Sequence, residues 1–85
     1  PAEVRNAAAS LSSAAQRIDA ATAAREAAEI QLQAERDRFD AGATNNFFVL
    51  TRQNDLAAAR VAEIVALTDY QKARSELARA TGGSL

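Results

Sequence analysis

A chain of 85 residues has room for one small domain and no thick core, because short chains bury a low fraction of the surface they expose when unfolded. Its 48% apolar content is mostly alanine, with 5% aromatics and with Glu, Leu and Arg filling much of the rest, which is the composition of long helices and coiled coils. Ten basic and eleven acidic residues nearly cancel and alternate, so there is no basic stripe for nucleic acid or an anionic membrane surface; without cysteine or histidine there is no thiolate or imidazole chemistry either.

From Ala2 to Ala41 the large apolar residues Val4, Leu11, Ile18, Leu32 and Phe39 recur at sevens, interrupted by Arg25. Three residues after each of them comes alanine (Ala7, Ala14, Ala21, Ala28), until Glu35 intervenes. This is a heptad seam with a large row and a small row, and the spacing predicts a helix over about residues 3–41. Pro1, Gly42 and the closing Thr81-Gly82-Gly83-Ser84 are the places where glycine and proline punctuate the chain.

The break after this helix is short. Gly42 can take the left-handed conformation that closes a helix, and Thr44 or Asn45 can cap the next one, so the tip spans about residues 42–45. A second helix over about residues 46–81 repeats the grammar: Val49, Leu56, Tyr70 and Leu77 at sevens, interrupted by Glu63, with Ala59, Ala66, Ala73 and Ala80 in the small row. So short a link forces antiparallel neighbours. The expected fold is all-α, one two-helix coiled-coil hairpin over residues 1–85.

The two large rows are also in mirror register. Phe39 with Val49, Leu32 with Leu56, Arg25 with Glu63, Ile18 with Tyr70 and Leu11 with Leu77 all have residue numbers totalling 88, so the basic interruption falls level with the acidic one. Arg25 and Glu63 are therefore the expected interhelix pair. At 100° per residue, Phe47 falls about 160° from the Val49 seam position, and Ile30, Val61 and Val65 fall equally far from theirs. Helices apolar on two sides call for further neighbours, so the isolated chain is expected to self-associate, most simply as two hairpins in a four-helix bundle.

No catalytic, cofactor-binding or metal-binding residues are expected. Glu26, Glu29, Glu35, Asp37 and Asp40, interleaved with Arg25, Arg36 and Arg38, have the spacings of solvated helix-surface ion pairs, and a hairpin offers no cleft for an enzyme. No apolar run approaches the ~20 residues of a bilayer span, so direct membrane insertion by this segment is not expected. No signal peptide is recognisable. The start at Pro1 without methionine suggests a piece of a longer chain.

Around the turn, Arg38-Phe39-Asp40-Ala41-Gly42, then Thr44-Asn45-Asn46-Phe47-Phe48-Val49-Leu50, Gln53 and Asp55 to Arg60, with Asp69-Tyr70, Lys72-Ala73, Leu77 and Ala80-Thr81-Gly82 further on, resemble the hairpin tip and its continuation in TolC-like outer-membrane efflux proteins. The resemblance runs over about residues 24–82. It implies a homotrimer whose protomers build a β-barrel in a Gram-negative outer membrane and an α-helical tunnel across the periplasm. This chain would supply one helical pair of that tunnel, a passive conduit for tripartite drug efflux or type I secretion. Ala41, Gly42, Ala43, Thr44 and Asn45 would dock the periplasmic adaptor (membrane fusion) protein, which serves an inner-membrane pump. Two departures qualify this. Family tips usually carry a larger aliphatic residue where Ala43 stands, and members closed by an acidic ring have carboxylates at the places of Phe48 and Thr51. An acidic gate is thus not implied; Phe48, with Thr51, either forms an apolar constriction or packs against a neighbouring helix. The competing reading is an adaptor-type or generic coiled-coil hairpin that binds a partner and forms no pore.

Overall fold

Two helices account for nearly all of the chain: α1 runs Ala2–Asp40 and α2 runs Asn46–Ala80, antiparallel in a rod 61 × 16 × 15 Å. The computed structural model describes residues 1–82, so the Gly83-Ser84 end of the predicted closing punctuation lies outside the described residues. Both helices end within a residue or so of the limits expected from spacing.

A matched set of backbone bonds makes the turn. The N–H of Gly42 donates to the Phe39 carbonyl at 3.0 Å and that of Ala43 to the Arg38 carbonyl at 2.8 Å, while Gly42 has φ +75°. This is the Schellman closure, in which a residue with positive φ lets two N–H groups reach back to orphan carbonyls of the last turn. Asn45, not Thr44, caps α2: its extended backbone (φ −118°, ψ 168°) lets its Oδ1 accept from the Phe48 N–H at 3.3 Å. Sequence could not choose between two good capping residues. Thr44 is half-buried, and its hydroxyl acts instead on Glu35 of α1, whose pKa it lowers.

The seam contains the expected rows. Ala28, Leu32, Val49 and Leu56 form a contiguous buried cluster, with Ala59 against it, and Ala14, Ala66 and Ala73 are buried farther from the turn. Alanine in alternate layers allows close approach, and each buried leucine contributes roughly 1.5–3 kcal/mol. Leu11, Ile18, Tyr70 and Leu77, which lie farther from the turn, are half-buried.

Two expectations need correction. Phe39, assigned to the seam, is 40% exposed. It occupies the last turn of α1, where only the first turn of α2 stands opposite and nothing beyond the turn covers it. Glu35, assigned to the solvated surface, is only 5% exposed, because it occupies a small-row position of the seam.

Candidate docking site at the hairpin tip

At the end of the rod, Ala41, Gly42, Ala43 and Asn45 are exposed and Thr44 is half-buried. A Cβ built on Gly42 meets nothing within 4 Å, so it is the backbone conformation that calls for glycine there, and any side chain at this place would project outward. The tip thus presents small side chains on a turn of fixed conformation.

Below the turn lies a polar layer. The Glu35 carboxylate meets the Arg38 guanidinium at 3.3 Å and that of Arg52 at 3.7 Å, and Arg52 also reaches Asp55 at 3.3 Å. The Thr44 hydroxyl, foremost, and then the two arginines hold Glu35 below the usual carboxylate range, against an opposing effect of burial. No buried side-chain nitrogen or oxygen among the described residues lacks a hydrogen-bond partner.

Three helical turns farther from the tip, Arg25 Nε donates to Glu63 Oε1 at 2.9 Å and Arg25 Nη1 to Glu29 Oε1 at 2.8 Å, with Glu26 at 3.9 Å. Arg25 lowers the Glu63 pKa, assisted by Thr22 and opposed by burial; Glu29 and Glu63 in turn raise that of Arg25. The pair sits in the large row, with the base on α1. In the Glu35–Arg52 layer, within the small row, the acid is on α1. Small-row partners have residue numbers totalling 87 (Ala28 with Ala59, Ala21 with Ala66, Ala14 with Ala73), and Glu35 with Arg52 obeys the same rule. The second layer is therefore encoded in the sequence as well, by the 87 total of the small row, as the first is by the 88 total of the large row.

Above the seam, Phe47 and Phe48 meet edge to face with ring centroids 5.6 Å apart, and both are exposed, at 68% and 47%. The Thr51 hydroxyl donates to the Phe47 carbonyl at 3.0 Å, so its hydrogen goes to its own helix. Ile30, Val61 and Val65 are exposed as their angular positions require; Leu50, Ile64 and Leu67 extend that surface and were not anticipated. Farther down, a shallow groove of about 260 Å³ is floored by Ala20, Ala21, Ala62, Val65 and Ala66 and edged by Arg17 and Asp69. No group of three or more Asp or Glu among the described residues is placed to hold a metal, and no helix is long and apolar enough to cross a membrane.

The arrangement is that of a stiff stem ending in an exposed turn, and the comparison with protein families gives that shape a context: the family model described as "Outer membrane efflux protein" matches residues 2–83. This chain belongs to the outer membrane efflux protein family. Searches of curated proteins and of solved structures returned no match. The family match takes in both helices and the turn, a longer stretch than the one carrying the sequence resemblance, and connects this efflux-protein hairpin with outer-membrane efflux and, in general, with the components of efflux pumps.

Proposed function

We propose that the hairpin forms part of the periplasmic tunnel of a trimeric outer-membrane channel for drug efflux or type I secretion, and that its tip docks the periplasmic adaptor that joins the channel to an inner-membrane pump. The observation that carries this reading is the tip itself: an exposed Ala41-Gly42-Ala43 turn with fixed backbone, on a stem held by two ion layers, within a chain that belongs to an efflux family. Apolar outer faces on both helices suit a wall of laterally packed hairpins. The role is that of a passive conduit, with no reaction catalysed and no cofactor held. If the wall narrows at this level, Phe48 carries the narrowing, since Thr51 has committed its hydroxyl to the backbone. The family match favours this reading over an adaptor-type hairpin.

The test is Gly42→Asp in the full-length parent. An aspartate at positive φ costs on the order of 1 kcal/mol, which a long seam tolerates, but an adaptor would have to bury its unpaired carboxylate. Trimer formation and membrane insertion should persist while transport and adaptor crosslinking collapse. Normal transport with unchanged crosslinking would leave Gly42 as a turn residue only and end the docking assignment.

A further inference from the structure

We propose that the groove between the two helices, on the side of Arg17 and Asp69, binds a compact zwitterionic amphiphile: a flat apolar body on an alanine floor, with a carboxylate and an ammonium held between the banks. The site belongs to the hairpin itself, so the proposal goes beyond the conduit reading and does not depend on it.

The groove arises from residue size. Ala21 and Ala66 face each other in the small row, and Ala20 and Ala62 stand just outside them, so at this height the side of the seam ends in methyl groups, with Val65 as a larger wall. The space left is about 260 Å³. This falls below the ~300–1,000 Å³ of sites for drug-sized molecules, which sets the ligand at about the size of a bulky amino acid. A row of methyl groups offers a flat floor, on which a planar ring makes more close contacts than a branched chain.

A second hollow of about 220 Å³ continues the first away from the turn. It is lined by Ser10, Arg17, Asp69, Lys72, Ala73 and Glu76, and shares Arg17 and Asp69 with the apolar one. The compartments therefore meet at that pair: one is dry, and the other carries two cations and two anions. Such a compartment complements a head group of zero net charge with both signs present, whereas a simple cation or anion would satisfy one bank and face a like charge on the other.

The charges are placed to receive it. Arg17 and Asp69 have residue numbers totalling 86, as do Ser10 and Glu76, so they stand level on opposite banks. Arg17 donates to Ser13 Oγ of its own helix at 2.9 Å, and among the described residues no ion pair joins Arg17, Asp69, Lys72 or Glu76. The two layers nearer the turn, by contrast, are closed, with Arg25 on Glu63 at 2.9 Å and Arg52 on Glu35 at 3.7 Å. Those pairs lie in the seam rows, where helix packing brings them together; Arg17 and Asp69 lie one row outside, across the groove. A carboxylate against Arg17 and an ammonium against Asp69 would span that gap, each by a charge-assisted hydrogen bond.

The test titrates the 85-residue chain, with isotope-labelled alanine methyls and at one fixed concentration, with three indoles that differ in the head: L-tryptophan (zwitterion), tryptamine (cation) and indolepropionate (anion). L-Tryptophan should shift the methyl resonances of Ala20, Ala21, Ala62 and Ala66 with a Kd on the order of 1 mM, as befits an open groove and so small a ligand. The other two should each bind about three- to fivefold more weakly. Arg17→Gln should erase the advantage of L-tryptophan over tryptamine, and Asp69→Asn its advantage over indolepropionate; both residues are exposed, so helical circular dichroism should be unchanged. Ala20→Leu, which fills the groove with a good helix former, should abolish binding of all three. Equal affinities for the three indoles, shifts spread along both helices, or no shift by about 10 mM ligand would overturn the proposal, the first by reducing the site to a contact of the ring alone.

Discussion

The half of the hairpin next to the turn and the half farther away follow the same heptad grammar but pack differently. Near the turn Leu32, Leu56, Val49 and Ala28 are buried together, and both ion layers lie within this half or at its lower edge. Farther away alanines are buried, while Val4, Leu11, Ile18, Tyr70 and Leu77 stay half in water. A repeating pattern therefore does not give uniform burial. Where large residues face each other across thin alanine layers and the turn ties the ends, the seam closes; where the helices run toward free ends, the same residues are less covered.

The strongest way to break this contrast is truncation on both sides of it. Leu56→Ala should destabilise the folded chain by about 2–3 kcal/mol, and Leu11→Ala, whose side chain is already partly wet, by about 1 kcal/mol. Urea unfolding followed by circular dichroism measures both, and equal losses would show that the two halves share one level of packing.

The turn should respond on a smaller scale. Asn45→Ala removes the oxygen that accepts the Phe48 N–H and should cost about 1 kcal/mol. Gly42→Ala finds open space for its methyl but keeps the positive φ, so its cost is strain alone, of similar size, about 1 kcal/mol. Amide exchange should show both losses confined to the ends of α1 and α2 nearest the turn.

Acid should sharpen the contrast most gently. Glu35 and Glu63 both titrate below their ordinary value of about 4.5, so the folded chain binds their protons less readily than the unfolded chain. Their stabilisation is fully present above that value and is lost as pH falls through the depressed ones. Amide protection factors around Val49 to Leu56, taken relative to the intrinsic exchange rate at each pH, should therefore fall in acid, and Glu35→Gln should flatten that dependence. An unchanged pH profile in the variant would mean that the layer near the turn carries no linked proton.

Much of this was legible in the sequence, for identifiable reasons. Seven-residue spacing defines the large row, a short link imposes the antiparallel pairing, and the mirrored Arg25 and Glu63 set the register, because each depends only on spacing along the chain. The exposure of Phe39 is not legible there, because periodicity carries no information about where the partner helix stops. The burial of Glu35 is masked by its local i, i+3 relation to Arg38, which resembles a solvated surface pair, and only the opposite helix, through Arg52, shows that it belongs to the seam. The exposure of Leu50, Ile64 and Leu67 is hard to see in sequence, because a single apolar residue off the seam reads as incidental until its neighbours are assembled. The tip residues were recognisable as a turn, but which of Thr44 and Asn45 would cap depended on backbone angles that composition does not encode.

The opposed polarity of the two ion layers also works as an error check on chain alignment. Alanine rows are nearly self-similar, so a slip of seven residues would preserve much of the small-row packing. Such a slip would bring Arg25 level with Leu56 or Tyr70, and Glu63 level with Ile18 or Leu32, leaving charges against apolar neighbours. Glu35 would lose Arg52 at the same step. Because the two layers lie in different rows and at different distances from the turn, no seven-residue slip satisfies either, and a repetitive sequence acquires a single alignment.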